Sequence, residues 1–525
     1  MKNNIDNQRR HFLKLAGVSA AALAAFPGLL NAKPMTAGQH ISPDFHPDVE
    51  ISLTEEVVSV PIFNGSKTRV WKVIGKVLKG ADHIVTNEQS YLAPTIRLHQ
   101  GQKVRIYLKN NLPTPTILHW HGLHVPAEMD GNPMYAIDNG ETFIYEFAVV
   151  NRAGTYWYHA HTHKLTAKHV YSGLAGLFIV SDDAEQALKL PRGEFDVPLV
   201  IQDRTFDSNN QLHYSAHMMQ RMHGFLGNQI MINGQPNYEL SVAQRSYRLR
   251  LLNGSNSRMY KLAWDDGSPI QVIATDGGLL AQVETVPYLM LAPAERREIW
   301  VDFSRQKIGT QLSLRSLEFS AGGMGMMGGM RGRGMRDGSL PSGGHYPVVN
   351  IRVSKKASTQ DVLPKRLSNM MPLRLADAAN KHEPRTITLS MRHMQALLNG
   401  RSYAMHDIRS DEIIPVNTLQ VIEFDNGFYR GRGMGMMNMA MPHPMHLHGE
   451  QFQVIKREVN ARSKAMVATV SEGLVDRGWK DTVLVMPGEK VTLLKPFNDY
   501  KGVFMYHCHN LEHEDMGMMR DLLVR

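Results

Sequence analysis

Three segments of the chain, Thr95–Asn110, Tyr238–Asn253 and Ile414–Asn426, repeat one pattern: a short strand, a polar turn, an alternating strand and then Asn. In Val104-Arg105-Ile106-Tyr107-Leu108 apolar residues alternate with polar ones, the period of a strand with one buried face. Copies this far apart indicate repeated β-sandwich domains rather than a solenoid of short repeats. A chain of 525 residues has room for about three domains of roughly 150 residues. Thr68–Lys76, Val104–Leu108, Tyr247–Leu252 and Thr418–Phe424 read as strands, the last three within the repeats, while helical periodicity is scarce. The expectation is an all-β protein with domains at 45–182, 195–355 and 383–525, joined by Asp183–Glu194 and Lys356–His382.

The N-terminus stands apart from this repeat. Arg9-Arg10-His11-Phe12-Leu13-Lys14 precedes an Ala/Leu-rich run to Leu30 and a small-residue site ending at Ala32. Residues 1–32 therefore read as a twin-arginine signal peptide, removed on export to the periplasm. The run is short for a membrane span and is broken by Pro27 and Gly28, so no stable membrane anchor is expected. The formal net charge of +9 includes Lys2, Arg9, Arg10 and Lys14 of that leader. The remaining basic residues are dispersed or lie in Gly-rich stretches, which argues against nucleic acid as a partner. A monomer is expected.

An exported chain can hold disulfides, but a single Cys cannot form an internal one, so Cys508 needs another explanation. Four His-rich motifs supply it: His119-Trp120-His121-Gly122, His159-Ala160-His161, His443-Pro444-Met445-His446-Leu447-His448, and His507-Cys508-His509 followed by His513 and Met518. About one His-x-His would arise by chance at this His content, whereas four confined to the first and last domains point to a metal cluster. Alternate residues of a strand share a face, so each pair presents both imidazoles to the same side. In His507-Cys508-His509 the imidazoles face one way and the thiolate the other, joining two metal sites covalently. Cys508, His513 and His443 supply the Cys and two His of a trigonal copper site, with Met518 as the weak axial thioether. Zinc is the rival, but this spacing with a distant Met matches no common zinc pattern. A Cys–His nucleophile is disfavoured because metal would capture a thiol so flanked. Isolated His124, His163, His169 and His393 read as structural residues.

These motifs, HWHG, HAH, HPMHLHG and HCHNLEHEDMGMM, closely resemble those of the multicopper oxidases, above all the bacterial periplasmic cuprous oxidases, over essentially the whole mature chain. The resemblance implies three cupredoxin-like Greek-key β-sandwich domains and four copper ions. His443, Cys508, His513 and Met518 would form the type 1 site. His119 and His446 would hold the type 2 ion, and His121, His159, His161, His448, His507 and His509 the type 3 pair. It also implies a role for Asp130 near the type 2 ion and for Glu514 as a proton relay towards dioxygen; the plainer readings are a turn Asp and a solvated Glu.

Two stretches of Gly, Met and Arg, Ser320–Gly344 and Tyr429–Met441, read as surface loops. Thioether favours Cu(I), and Met434, Met436, Met437, Met439 and Met441 run directly into His443, with Met324, Met326 and Met327 in the other stretch. The bland alternative is that Met fills gaps in a core. Family members often carry Asp four residues before the first type 1 His, where this chain has Met439. The expected activity is oxidation of Cu(I), and of small aromatic reductants such as phenols, by dioxygen. The alternatives are a laccase-like oxidase of organic or other metal substrates, and a non-catalytic periplasmic copper-binding protein or scaffold.

Overall fold

The computed structural model describes residues 38, 40–215, 217–321, 340–357, 361–392, 395–427 and 441–525. The leader, Met324, Met326, Met327, Met434, Met436, Met437, Met439 and His393 lie outside the described residues. Within them the strands sort into six sheets: two from residues 49–181, two from 196–355 and two from 385–524. Among the described residues the longest helix spans only Thr166–Ser172, and none is long and apolar enough to cross a membrane.

The recurring segment occupies the same place in each unit. Its alternating strand, at Lys103–Asn110, Ser246–Asn253 and Thr418–Asp425, runs parallel to the unit's opening strand, Val49–Val60, Asp196–Arg204 or Arg385–Arg392. The Asn that closes it is buried every time, and its amide donates to two backbone carbonyls: Thr114 and Ile137 for Asn110, Arg258 and Leu291 for Asn253, Met441 and Val485 for Asn426. Only a short side chain with two donors pins a departing loop and a neighbouring strand at once, which is why Asn ends each copy.

Apolar clusters fuse the units. One joins Trp157 and Val170 to Val200, Leu252 and Leu511, and so to all three units. Another joins Met259 and Met290 of the middle unit to Val470 and Met486 of the last. The space between the first and last units is thereby enclosed.

Candidate metal centres

Four strand ends open into that space. Leu118–His119 pairs with Gly154–Ala160, placing His119 opposite His159. His443–Leu447 pairs with Gly502–Cys508, placing His446 opposite His507. His121, His161, His448 and His509 follow just past the same strand ends, and all eight imidazoles are buried.

Hydrogen bonds decide which nitrogen is free in six of the eight rings, while Nδ1 of His161 and of His509 has no partner. Nδ1 of His119 meets the Asp130 carbonyl at 2.7 Å, that of His446 the Asp481 carbonyl at 2.8 Å, and that of His448 the Asp130 carboxylate at 2.7 Å. His159 and His507 donate likewise to the carbonyls of Ala160 and Cys508. An acceptor at Nδ1 fixes the proton there and leaves Nε2 a lone pair. His121 is reversed, with Nε2 held by Asp481 at 3.0 Å and Thr482 at 3.2 Å, so its Nδ1 is free.

Those lone pairs meet. Nε2 of His119 lies 3.3 Å from Nε2 of His446; Nε2 of His507 lies 3.3 Å from that of His161 and 3.2 Å from that of His448. Nε2 of His159 lies 3.3 Å from Nε2 of His509 and 3.4 Å from Nδ1 of His121. A pair such as His119 and His446 has no proton to share, so the contact repels unless a cation lies between. The spacing is that of two nitrogens on one ion with bonds of about 2 Å. The donors fall into one pair and two triads: His119 and His446; His161, His448 and His507; His121, His159 and His509.

On the opposite face of the same strand, Cys508 Sγ lies 3.5 Å from His443 Nδ1 and 3.7 Å from His513 Nδ1, with Met518 fully buried in the same apolar cluster. Burial pushes the thiol far above its ordinary range, so a cation is needed to hold it as thiolate. Two His, one Cys and a thioether suit copper. Beside His443 lies a cavity lined by His223, Leu226, Met259, Met441, Pro442 and Pro444. Met441, expected on a surface loop, is buried, because Asn426 ties its carbonyl to that of Val485, the strand residue paired with His443.

Both acids drawn from the resemblance reach the cluster. Asp130 bridges His119 through its carbonyl and His448 through its carboxylate, and burial raises its pKa. Glu514 is buried with neither oxygen hydrogen-bonded, 3.1 Å from His507 Nδ1 and 3.6 Å from His161 Nε2. A third acid, Asp481, was not picked out in the sequence. Its carboxylate holds His121 and its carbonyl holds His446, while Arg296 of the middle unit donates to both its oxygens. Arg297, Lys480, Asp276 and Glu295 complete a buried network of three cations and three anions. The one sign in the sequence is a Lys-Asp pair opening an otherwise apolar strand. Of the histidines read as structural, His124 meets Asp499, His163 packs on Tyr403, and His169 lies buried between Thr114 and Thr162.

Burial, then neighbouring imidazoles, drives the pKa of His121, His446, His448 and His509 far below 6.5, and burial drives that of His513 to about 4. These rings stay neutral in the fold but take up protons in the unfolded chain below about pH 6.5. Stability of the metal-free protein is therefore fully present above that pH and lost below it, by about 1.4 kcal/mol per pH unit for each ring that remains neutral. Thermal melts of metal-free protein at pH 7 and pH 5 should differ by many degrees; equal melting temperatures would contradict the buried, neutral cluster.

Two family models, both described as multicopper oxidase, match residues 70–185 and 379–525. The chain is 32% identical over 433 residues to the multicopper oxidase mco of Staphylococcus haemolyticus, covering 82% of each chain. It is also 30% identical over 469 residues to the cell division protein FtsP of Xenorhabdus nematophila, covering 88% of this chain and 86% of that one. The crystal structure of McoA multicopper oxidase from the hyperthermophile Aquifex aeolicus matches with a TM-score of 0.74 at 31% identity, over 92% of this chain and 97% of that one.

Proposed function

This chain belongs to the multicopper oxidase family, an oxygen-using oxidoreductase of cupredoxin-like all-β fold, and from that premise we propose that it is a periplasmic cuprous oxidase that couples oxidation of Cu(I) to reduction of dioxygen to water. One observation carries the reading: Cys508 faces His443 and His513, while its neighbours His507 and His509 face the imidazole cluster. The proposed complement is four copper ions, with type 1 at His443, Cys508, His513 and Met518, type 2 at His119 and His446, and the type 3 pair at the two triads. Bound copper supplies one-electron redox chemistry and the reduction of dioxygen.

The chain supplies the remainder. Cys508 and its flanking peptides give a continuous covalent path between the two sites, and the carbonyls on the outer nitrogens hold the imidazoles in place before metal binds. Reduction of dioxygen to water consumes four protons, and Glu514 and Asp130 are buried acids at the two sides of the cluster that can deliver them. Export through the twin-arginine pathway is supported by Arg9-Arg10 and the apolar run behind it.

Cu(I) as reductant is supported by soft donors around the entry side. Met441 and Met259 line the cavity beside His443, and in sequence Met441 closes the Met-rich stretch. Replacing Met434, Met436, Met437, Met439 and Met441 with Leu keeps bulk and removes sulfur. Oxidation of Cu(I) at low free copper should then fall about tenfold or more, while phenol oxidation stays within about threefold of the parent. Steady-state oxygen uptake with each reductant checks this; equal loss of both would mean that the stretch supports the type 1 site itself, and no loss of either would make these methionines an inert linker. Similarity to a cell division protein gives a second reading, a scaffold without catalysis. The complete donor set weighs against it, since a scaffold has no need of lone pairs that repel without metal.

A further inference from the structure

The helix Leu511–Asp515 sends successive side chains to different partners. His513 turns to Cys508 and Glu514 to the cluster, while Asp515 accepts the backbone amides of Thr166 and Ala167 in the first unit. Glu512 turns to the middle unit, which contributes no donor to either metal centre.

Glu512 is only 2% exposed, and its carboxylate is saturated. Oε1 accepts from Tyr214 Oη at 2.9 Å and Asn256 Nδ2 at 2.9 Å; Oε2 accepts from the Phe225 amide at 3.0 Å and from Ser257 Oγ. A carboxylate has about four acceptor positions, and all are taken by one unit. The same segment reaches the ligand beside it: the Met222 carbonyl accepts from His513 Nε2 at 3.1 Å, fixing the ring with Nδ1 towards Cys508. The approach is close enough to require glycine at position 224, where φ is +86° and a Cβ would lie 2.3 Å from Ser257 Oγ. The Asn256 carbonyl also accepts the Leu511 amide, and Ser257 Oγ, whose proton goes to Glu512, lies 3.3 Å from Oδ1 of Asn510, whose own backbone amide points at Cys508 Sγ at 3.4 Å.

We propose that Glu512 is a positioning residue for electron entry: by locking residues 214–225 and 256–257 of the middle unit onto the ligand loop, it fixes the His513 imidazole between Met222 and Cys508. The proposal rests on the type 1 reading of that site. Gln in its place cannot serve as well, because Asn256 Nδ2 faces one oxygen and the Phe225 amide the other. Whichever way the Gln amide turns, one of these N–H groups meets another N–H.

The test uses the full copper-loaded chain, with Glu512→Gln and, further from the metal, Tyr214→Phe. Glu512→Gln should shift the thiolate–copper absorption and the EPR hyperfine splitting of the blue centre and slow its anaerobic one-electron reduction about tenfold. Tyr214→Phe should shift both signals the same way by less and slow reduction a few-fold. Should Glu512→Gln fail to fold, Tyr214→Phe decides alone. A blue parent whose variants keep its spectrum and reduction rate, even at lowered melting temperature, overturns the proposal and leaves the functional reading standing. A copper-loaded parent without the thiolate–copper band overturns the functional reading and this proposal with it.

Discussion

Cys508→Ser is expected to give a folded, colourless protein with one copper ion fewer per chain and oxidase activity lowered by about 10³-fold or more, about 4 kcal/mol in barrier. The substitution is nearly isosteric and the site is fully buried, so the fold should survive; a hydroxyl can keep the contacts the thiol makes with the Asn510 amide and with Nδ1 of His443 and His513. What changes is the ligand. A hydroxyl is a hard, weak donor that stays protonated, and the intense visible absorption of a trigonal thiolate–Cu(II) site needs the sulfur. Every other covalent route from His443 and His513 to the imidazole cluster is longer, running along the backbone through residues 444–446 or 508–512. Visible spectra, copper content and oxygen uptake of the purified variant check this. Retained colour and activity would show that the site assignment at Cys508 is wrong.

The part of this molecule legible in its sequence is the part that repeats or alternates locally. The three Asn-ended segments announced three equivalent strands, because strand period and a two-donor side chain are local properties. His507-Cys508-His509 announced two sites back to back for the same reason, since alternation along one strand decides which way each side chain faces. How the eight imidazoles group was legible only through the family resemblance, not from strand period: the grouping depends on which nitrogen each ring presents, and carbonyls at Asp130 and Asp481 decide that for His119 and His446 from elsewhere in the chain. Arg296 and Asp481 meet across 185 residues, and Tyr214 and Glu512 across 298, so neither partnership leaves a local pattern. Met441 is instructive in the other direction. Its neighbours Met439 and Ala440 belong to a low-complexity stretch that composition reads as loop, yet position alone, two residues before a buried ligand, puts it inside.

Glu514→Gln separates proton delivery from electron entry, because its carboxylate touches only the cluster side of the ligand strand. Its oxygens lie 3.1 Å from His507 Nδ1 and 3.6 Å from His161 Nε2 and accept no hydrogen bond, an unusual state for a buried acid. A group with no structural bonds to lose is free to bind and release a proton, and Gln keeps its size while removing that ability. Cys508, His443 and His513 are untouched, so the variant should remain blue and should bleach with an anaerobic reductant at the parent's rate. Reoxidation on mixing with dioxygen should then slow by about 10²–10⁴-fold, the range a positioned general acid contributes. Stopped-flow absorption follows both phases in one instrument. If only the bleaching step slowed, Glu514 would be acting on the ligand loop through Glu512 and His513. If reoxidation stayed within about twofold of the parent, the protons would have to arrive from the Asp130 side, where Oδ2 meets the His448 ring, the backbone carbonyl meets His119 Nδ1, and Oδ1 has no hydrogen bond and is available for that task.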